Sequence, residues 1–309
     1  MHMSRRGVLL ASLALSAAAA APAWAAGAVA PGRRLCVYYQ TQYSNGAYVS
    51  PLGLTEHGTG TTHVLVAAVH LNDVGGPYAP VHLNDDPPEA AKYDVMWRDL
   101  DTMRARGVRV LAMLGGAAPG SFQRLDTEFG TYYPLLRDFL RRYGLDGVDL
   151  DVEERMSLAG IERVIDALRA DFGPDFLITL APVASALSGG GNLSGFDYEK
   201  LYRDRGRDIA WFHAQFYNGW GSLAATRDYD AIIGRGLIPA EKVVAGTLTA
   251  PANGNGYVDL ATLRTTVGAL RKKYAGFGGV AGWEYFNSQP GGTAAPWRWA
   301  AEVSGALFR

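Results

Sequence analysis

The chain has 309 residues, is 48% hydrophobic, and balances 29 basic against 30 acidic side chains for a formal net charge of −1. That balance, without a polybasic run, excludes a nucleic-acid footprint, and the length suits one large α/β core. A single cysteine, Cys36, excludes an intrachain disulfide and a cysteine zinc site, and the six histidines fall at no metal-ligand spacing.

Residues 1–25 read as a cleaved export signal. Ser4-Arg5-Arg6-Gly7 sets twin arginines before an apolar run from Val8 to Ala21, and Ala23-Trp24-Ala25 offers a cleavage site. Twin arginines point to the Tat route of a bacterium, with Sec export as the alternative. The run is too short and alanine-rich for a stable membrane anchor. The expectation is a secreted, extracellular monomer without stable membrane association, its one domain spanning residues 26–309.

From there β-rich runs alternate with helical ones. Leu35–Gln40, Thr62–Val69, Val108–Leu114, Tyr143–Glu153, Phe176–Leu180, Ile209–Tyr217, Val243–Leu248 and Gly278–Tyr285 read as eight strands. Helices are expected at Trp97–Arg106, at Tyr132–Tyr143 with Gly144 after its end, and from a Ser157 cap to Phe172. Others fall at Tyr198–Arg203, Tyr229–Arg235, Leu260–Tyr274 and Pro296–Leu307, with Pro296 in the first turn. Eight such units predict an α/β fold, a single (β/α)₈ TIM barrel. The competitor is an open doubly wound sheet, but Thr41-Gln42-Tyr43 stands where its glycine fingerprint belongs. Val69-His70-Leu71-Asn72-Asp73 recurs as Val81-His82-Leu83-Asn84-Asp85 around Gly75-Gly76-Pro77, which predicts a hairpin beyond the second strand. It is either a plain rim hairpin or a wall of the substrate groove.

The chemistry centres on the fourth strand. In Asp146-Gly147-Val148-Asp149-Leu150-Asp151-Val152-Glu153, strand alternation puts Asp149, Asp151 and Glu153 on one face and Val148, Leu150 and Val152 on the other. Same-face neighbours lie about 6.5–7 Å apart. Like charges that close in a poorly solvated place raise at least one carboxyl pKa, as a general acid needs. A solvated edge strand, a hard-metal site and a non-catalytic binding site remain alternatives. The ends of the other strands carry Tyr39 and Gln40, Gly115-Gly116, Gln215-Phe216-Tyr217-Asn218 and Trp283-Glu284-Tyr285. Amide and phenol partners beside aromatic platforms fit a carbohydrate.

These motifs carry a resemblance to a known family. Asp146 to Glu153 matches the D-x-x-D-x-D-x-E signature of glycoside hydrolase family 18. Gln215-Phe216-Tyr217 resembles its strand-six tyrosine motif, and Gly279-Val280-Ala281-Gly282-Trp283 its strand-eight tryptophan motif. Three longer runs, 113–118, 171–185 and 282–288, are similar to a fungal endo-β-N-acetylglucosaminidase of that family. The resemblance implies substrate-assisted retention without metal or organic cofactor. Glu153 is then the acid, Asp151 orients the acetamide, Asp149 shares a proton with Asp151, and Tyr217 holds the acetamide oxygen. Trp283 floors the sugar subsite, and Gln215, Asn218, Tyr39, Gly115 and Gly116 contact substrate. Asp146, outside the acidic face, is structural. The implied partner is an N-glycan core, high-mannose preferred, or a chitin oligosaccharide; a non-catalytic lectin is the reading from another class. Loops 69–88, 220–222 and 251–257 are where these substrates are told apart.

Overall fold

A computed structural model describes residues 32–309; the export segment expected at 1–25 lies outside the described residues. Eight parallel strands follow one another: β1 (Arg34–Tyr39), β2 (His63–Leu71), β3 (Arg109–Gly115), β4 (Gly147–Asp151), β5 (Leu177–Leu180), β6 (Trp211–Gln215), β7 (Val243–Leu248) and β8 (Gly279–Trp283). Each pairs with the next, and β1 pairs with both β8 (Val37 opposite Gly282) and β2 (Val37 opposite Val64), so the sheet closes on itself. Around it run α1 (Gly53–Glu56), α2 (Asp94–Ala105), α3 (Ser121–Thr127), α4 (Phe129–Arg142), α5 (Leu158–Phe172), α6 (Tyr198–Arg205), α7 (Arg227–Ile233), α8 (Leu260–Lys273) and α9 (Trp297–Phe308). Among the described residues no helix is long and apolar enough to cross a membrane.

Local chemistry sets the boundaries. Ser157 caps α5, its hydroxyl accepting from the Gly160 amide at 2.9 Å. Gly144 follows α4 in the left-handed region at φ +54°, where a side chain is strained. Pro296 stands one position earlier than expected, as the N-cap of α9. The echoed segments pair antiparallel, Val69 with Leu83 and His70 with His82, so the hairpin beyond β2 forms as expected. Helix α3 and a small Tyr43–Ser44/Ala47–Tyr48 ladder were not anticipated, both being too short for a periodic signal.

Strand alternation sorts the core into two layers. Cys36, Tyr38, Leu65, Ala67, Leu111, Met113, Trp211, Val244 and Ala281 fill the barrel interior. Leu35, Val37, Tyr39, Val64, Val66, Val148 and Leu150 belong to the larger layer between sheet and helices. This corrects the placing of Tyr39 in the site. It is fully buried on the helix side, its hydroxyl bonded to the Val49 carbonyl at 2.5 Å and its ring edge-on to Tyr285. Odd-numbered residues of β1 point outward, so Tyr38 is the tyrosine that faces the interior.

Asp146 sits below the first residue of β4 at the N-terminal mouth. Its carboxylate accepts from the Val110 amide and from Arg109, both at 2.8 Å, locking β3 to β4. Asp146→Ala leaves the Val110 N–H unpaired and is expected to lower the unfolding free energy by about 1–3 kcal/mol. Urea titration measures this loss, and an unchanged midpoint would remove Asp146 from its structural role.

Candidate active site

At the other mouth the acidic face of β4 points inward. Asp149 is fully buried, Asp151 is 5% exposed and Glu153, two residues on and just past the strand, is half-buried. Asp149 lies deepest and is held by three side chains from three strands. The Tyr38 hydroxyl donates to Oδ2 at 2.7 Å, Thr179 to Oδ1 at 2.5 Å, and His213 Nδ1 to the same oxygen at 3.0 Å. The direction of the last bond follows from its neighbour. Trp211 Nε1, which can only donate, bonds His213 Nε2 at 2.8 Å, leaving Nδ1 to carry the ring proton. Asp149 thus takes its hydrogen bonds from Tyr38, Thr179 and His213 and acts on Asp151 through its charge. With both oxygens so engaged the three carboxylates do not converge on a point for a hard cation, and no group of three metal-ligating side chains occurs among the described residues.

One amide links the two upper carboxylates. Gln215 Nε2 lies 3.1 Å from Asp151 Oδ1, 3.1 Å from Glu153 Oε1 and 2.9 Å from the Ala181 carbonyl. Burial pushes the Asp151 carboxyl well above the ordinary aspartate value, and the Glu153 and Asp149 charges push it further, against a lowering by Gln215. The group expected to hold a proton is therefore the middle one. Burial, then Asp151 and Glu153, likewise raise the Tyr217 phenol well above 10, so it remains a hydrogen-bond donor.

A cavity of about 480 Å³ opens above these groups. Asp151, Glu153, Gln215, Tyr217, Asn218, Gly115, Gly116 and Trp283 all line it, so the fold brings together every expected site residue except Tyr39, with Asp149 directly beneath on β4. Trp283, at the end of β8, packs edge-on to Tyr38 at 5.4 Å. Gly115 and Gly116 adopt φ near +90°, and the Gly116 amide donates to the Asp151 carbonyl at 2.9 Å. A Cβ on Gly116 would meet Met113 Cε at 2.9 Å, so glycine keeps this wall low. Asn218 sits at the exposed rim, its Oδ1 accepting from the Asn255 amide at 2.9 Å and tying together the loops after β6 and β7.

Sequence reading missed Tyr38, Thr179 and His213. A signal existed for His213, which shares strand parity with Gln215. Gln40, His70, Trp220 and Asn253 also line the cavity without having been assigned to the site. Chemically the arrangement offers a half-buried carboxylate, a carboxyl biased toward its protonated form, a phenolic donor and an indole face around one chamber.

The raised Asp151 pKa has a consequence for stability. Between the ordinary value of 3.8 and the raised folded value, the native state holds a proton the unfolded chain has released. That contribution is lost as pH rises through this window. Asp151→Asn, which cannot ionise, is expected to melt several degrees above the wild type near neutral pH and equally at pH below 3.8. Melting curves across pH measure this, and a pH-independent difference would contradict the assignment of the proton.

No family model matches the chain. Among solved structures, a fungal endo-β-N-acetylglucosaminidase of glycosyl hydrolase family 18 is 51% identical with a TM-score of 0.84, the match covering 89% of this chain and 98% of that one. A chitinase from Aspergillus fumigatus is 50% identical with a TM-score of 0.80, covering 89% and 99%. Among curated relatives, Chitinase 2 of Rhizopus oligosporus is 29% identical over 200 residues, 60% of this chain but only 35% of that longer protein. With about half of the matched residues identical across nearly the full length of two solved relatives, the chain belongs to glycoside hydrolase family 18.

Proposed function

We propose that the protein is a retaining endo-β-N-acetylglucosaminidase that cleaves the GlcNAc-β-1,4-GlcNAc core of N-glycans, high-mannose chains preferred. The observation that carries the chemistry is the Gln215 amide spanning Asp151 and Glu153, with Asp151 biased toward its protonated form. The substrate preference rests on 51% identity with a solved fungal endo-β-N-acetylglucosaminidase. Chitin-oligomer hydrolysis is the second reading, favoured by 50% identity with a solved chitinase.

In this reading Glu153 protonates the glycosidic oxygen while the substrate's own 2-acetamido carbonyl oxygen attacks the anomeric carbon, giving an oxazolinium ion. Asp151 accepts the acetamide N–H. As positive charge builds on the ring, the ionised form of Asp151 becomes favoured, reversing its resting preference; the proton it releases passes to Glu153, which delivers it to the glycosidic oxygen. Asp149 beneath, its oxygens engaged by Tyr38, Thr179 and His213, acts on Asp151 through its charge rather than by sharing the proton. Tyr217 donates to the acetamide oxygen and keeps it aimed, and Trp283 stacks under the sugar. Water then opens the oxazolinium with Glu153 as base, so two displacements retain configuration. The proposal includes export, from the signal read at residues 1–25, and action as a monomer.

Glu153→Gln keeps the shape of the side chain and loses its transferable proton. Hydrolysis is expected to fall by ~10²–10⁴-fold with the fold unchanged; retention of a tenth of the wild-type rate would reassign the acid. Asp151→Asn is expected to hydrolyse slowly yet transfer a preformed sugar oxazoline to a GlcNAc acceptor. Full hydrolysis without transfer would count against its role. For the substrate, mass spectrometry of a treated high-mannose glycoprotein should find one GlcNAc left on each glycosylated asparagine. Turnover of chitin oligomers with the glycan untouched would replace the first reading by the second.

A further inference from the structure

A second chamber of about 710 Å³ adjoins the reaction cavity and shares Gln40, His70 and Ala118 with it. It lies between the loop after β1 and the hairpin beyond β2. We propose that this chamber holds the uncharged sugars of the substrate beyond those at the cleaved bond, with Tyr78 as their stacking platform. The proposal deepens the reading above and rests on it.

The chamber is built in advance. Asn84 ties the hairpin to the barrel mouth: its Nδ2 donates to the Gln40 carbonyl at 2.9 Å and to Gln42 Oε1 at 2.7 Å, and its Oδ1 accepts from the Ala68 amide at 3.1 Å. Asn72 closes the other end, donating to the Ala79 carbonyl at 2.8 Å and bonding His82. The His70 and His82 rings pack against each other at a tilt across the ladder, centroids 5.1 Å apart. Such a wall offers hydroxyl-bearing ligands imidazole and amide partners without reorganisation.

Its charge favours neutral ligands. Burial lowers the His70 pKa to about 4 and also lowers that of His82, so both rings are uncharged near neutral pH. Lys92 is paired with Asp86, which leaves Asp85 as a carboxylate on the chamber wall. With both imidazoles neutral and Lys92 paired with Asp86, the wall offers, among the described residues, no free cation to draw a carboxylate or phosphate, and mannose and GlcNAc need none. Tyr78 supplies what a sugar ring needs in addition. It is 68% exposed at the hairpin tip and lines the chamber. A large aromatic left in water there contributes little packing and is free to cover the apolar face of a pyranose.

The test uses Tyr78→Ala and Tyr78→Phe with substrates of two lengths in each series: a full high-mannose glycopeptide against one trimmed to the trimannosyl core, and a chitin hexamer against the trimer. For Tyr78→Ala, kcat/KM on the longer member cleaved by the wild type is expected to fall ~3- to 10-fold through KM. The shorter member keeps its rate, and Tyr78→Phe, which keeps the ring, restores the longer one. Equal losses on both lengths, or none, overturn the chamber and leave the cleavage reading intact. Turnover of chitin alone ends the N-glycan preference, and the chamber is then judged on the hexamer and trimer. If the wild type cleaves neither series the hydrolase reading fails instead. Calorimetric titration with the same saccharides then decides: length-dependent binding lost in Tyr78→Ala upholds the chamber, and absent or length-independent binding overturns it.

Discussion

A carboxylate in a barrel interior has no water to solvate it, and this constraint on Asp149 organises much of the molecule. A buried charge persists only if donors replace its hydration shell. Here the donors come from β1, β5 and β6, so Tyr38, Thr179 and His213 must reach the same point in space. The relative heights of those strands around the barrel are tied to one side chain. His213 in turn depends on Trp211, whose indole N–H fixes which imidazole nitrogen faces the carboxylate. Aromatic and polar residues thus replace the aliphatic layer that usually fills this part of a barrel.

Above that anchor the site is built from opposition. Asp151 is kept in a place where its charge is unfavourable, pressed by burial and by a carboxylate on either side along β4. One amide, Gln215, offsets part of the cost by bonding both upper carboxylates. In the proposed reaction, the developing positive charge would favour the form of Asp151 that burial disfavours, releasing this tension. Stability is given up at this mouth and recovered at the other, where Asp146, Arg109 and the Val110 amide make an ordinary, fully satisfied connection.

Much of this was legible in the residues because strand alternation is a strong signal when charges carry it. The β4 acidic face and β7, Val243–Leu248, came directly from pattern. What pattern could not supply was the absolute phase of a strand whose two faces are both buried. In Leu35-Cys36-Val37-Tyr38-Tyr39 nothing polar marks the inside, and the wrong tyrosine was assigned to the site. His213 was passed over for a related reason: between Phe212 and Ala214 it reads as a core histidine, and its carboxylate is 64 residues away in the chain. Strand ends were read long, since Glu153 and Tyr217 lie past the last ladder bonds although they continue the same orientation.

The division of labour along Asp146 to Glu153 bears on how such chains diversify. The first acid of the signature bolts two strands together at the far mouth, and the second is the buried anchor of three more. The last stands half in solvent with only an amide for company. Loss of Glu153 therefore leaves the barrel, the anchor and both chambers in place. If Glu153 is the acid, as proposed, a descendant that had traded it would keep its grip on the sugar and lose the scissors, so an enzyme of this architecture would lie a single substitution from a lectin.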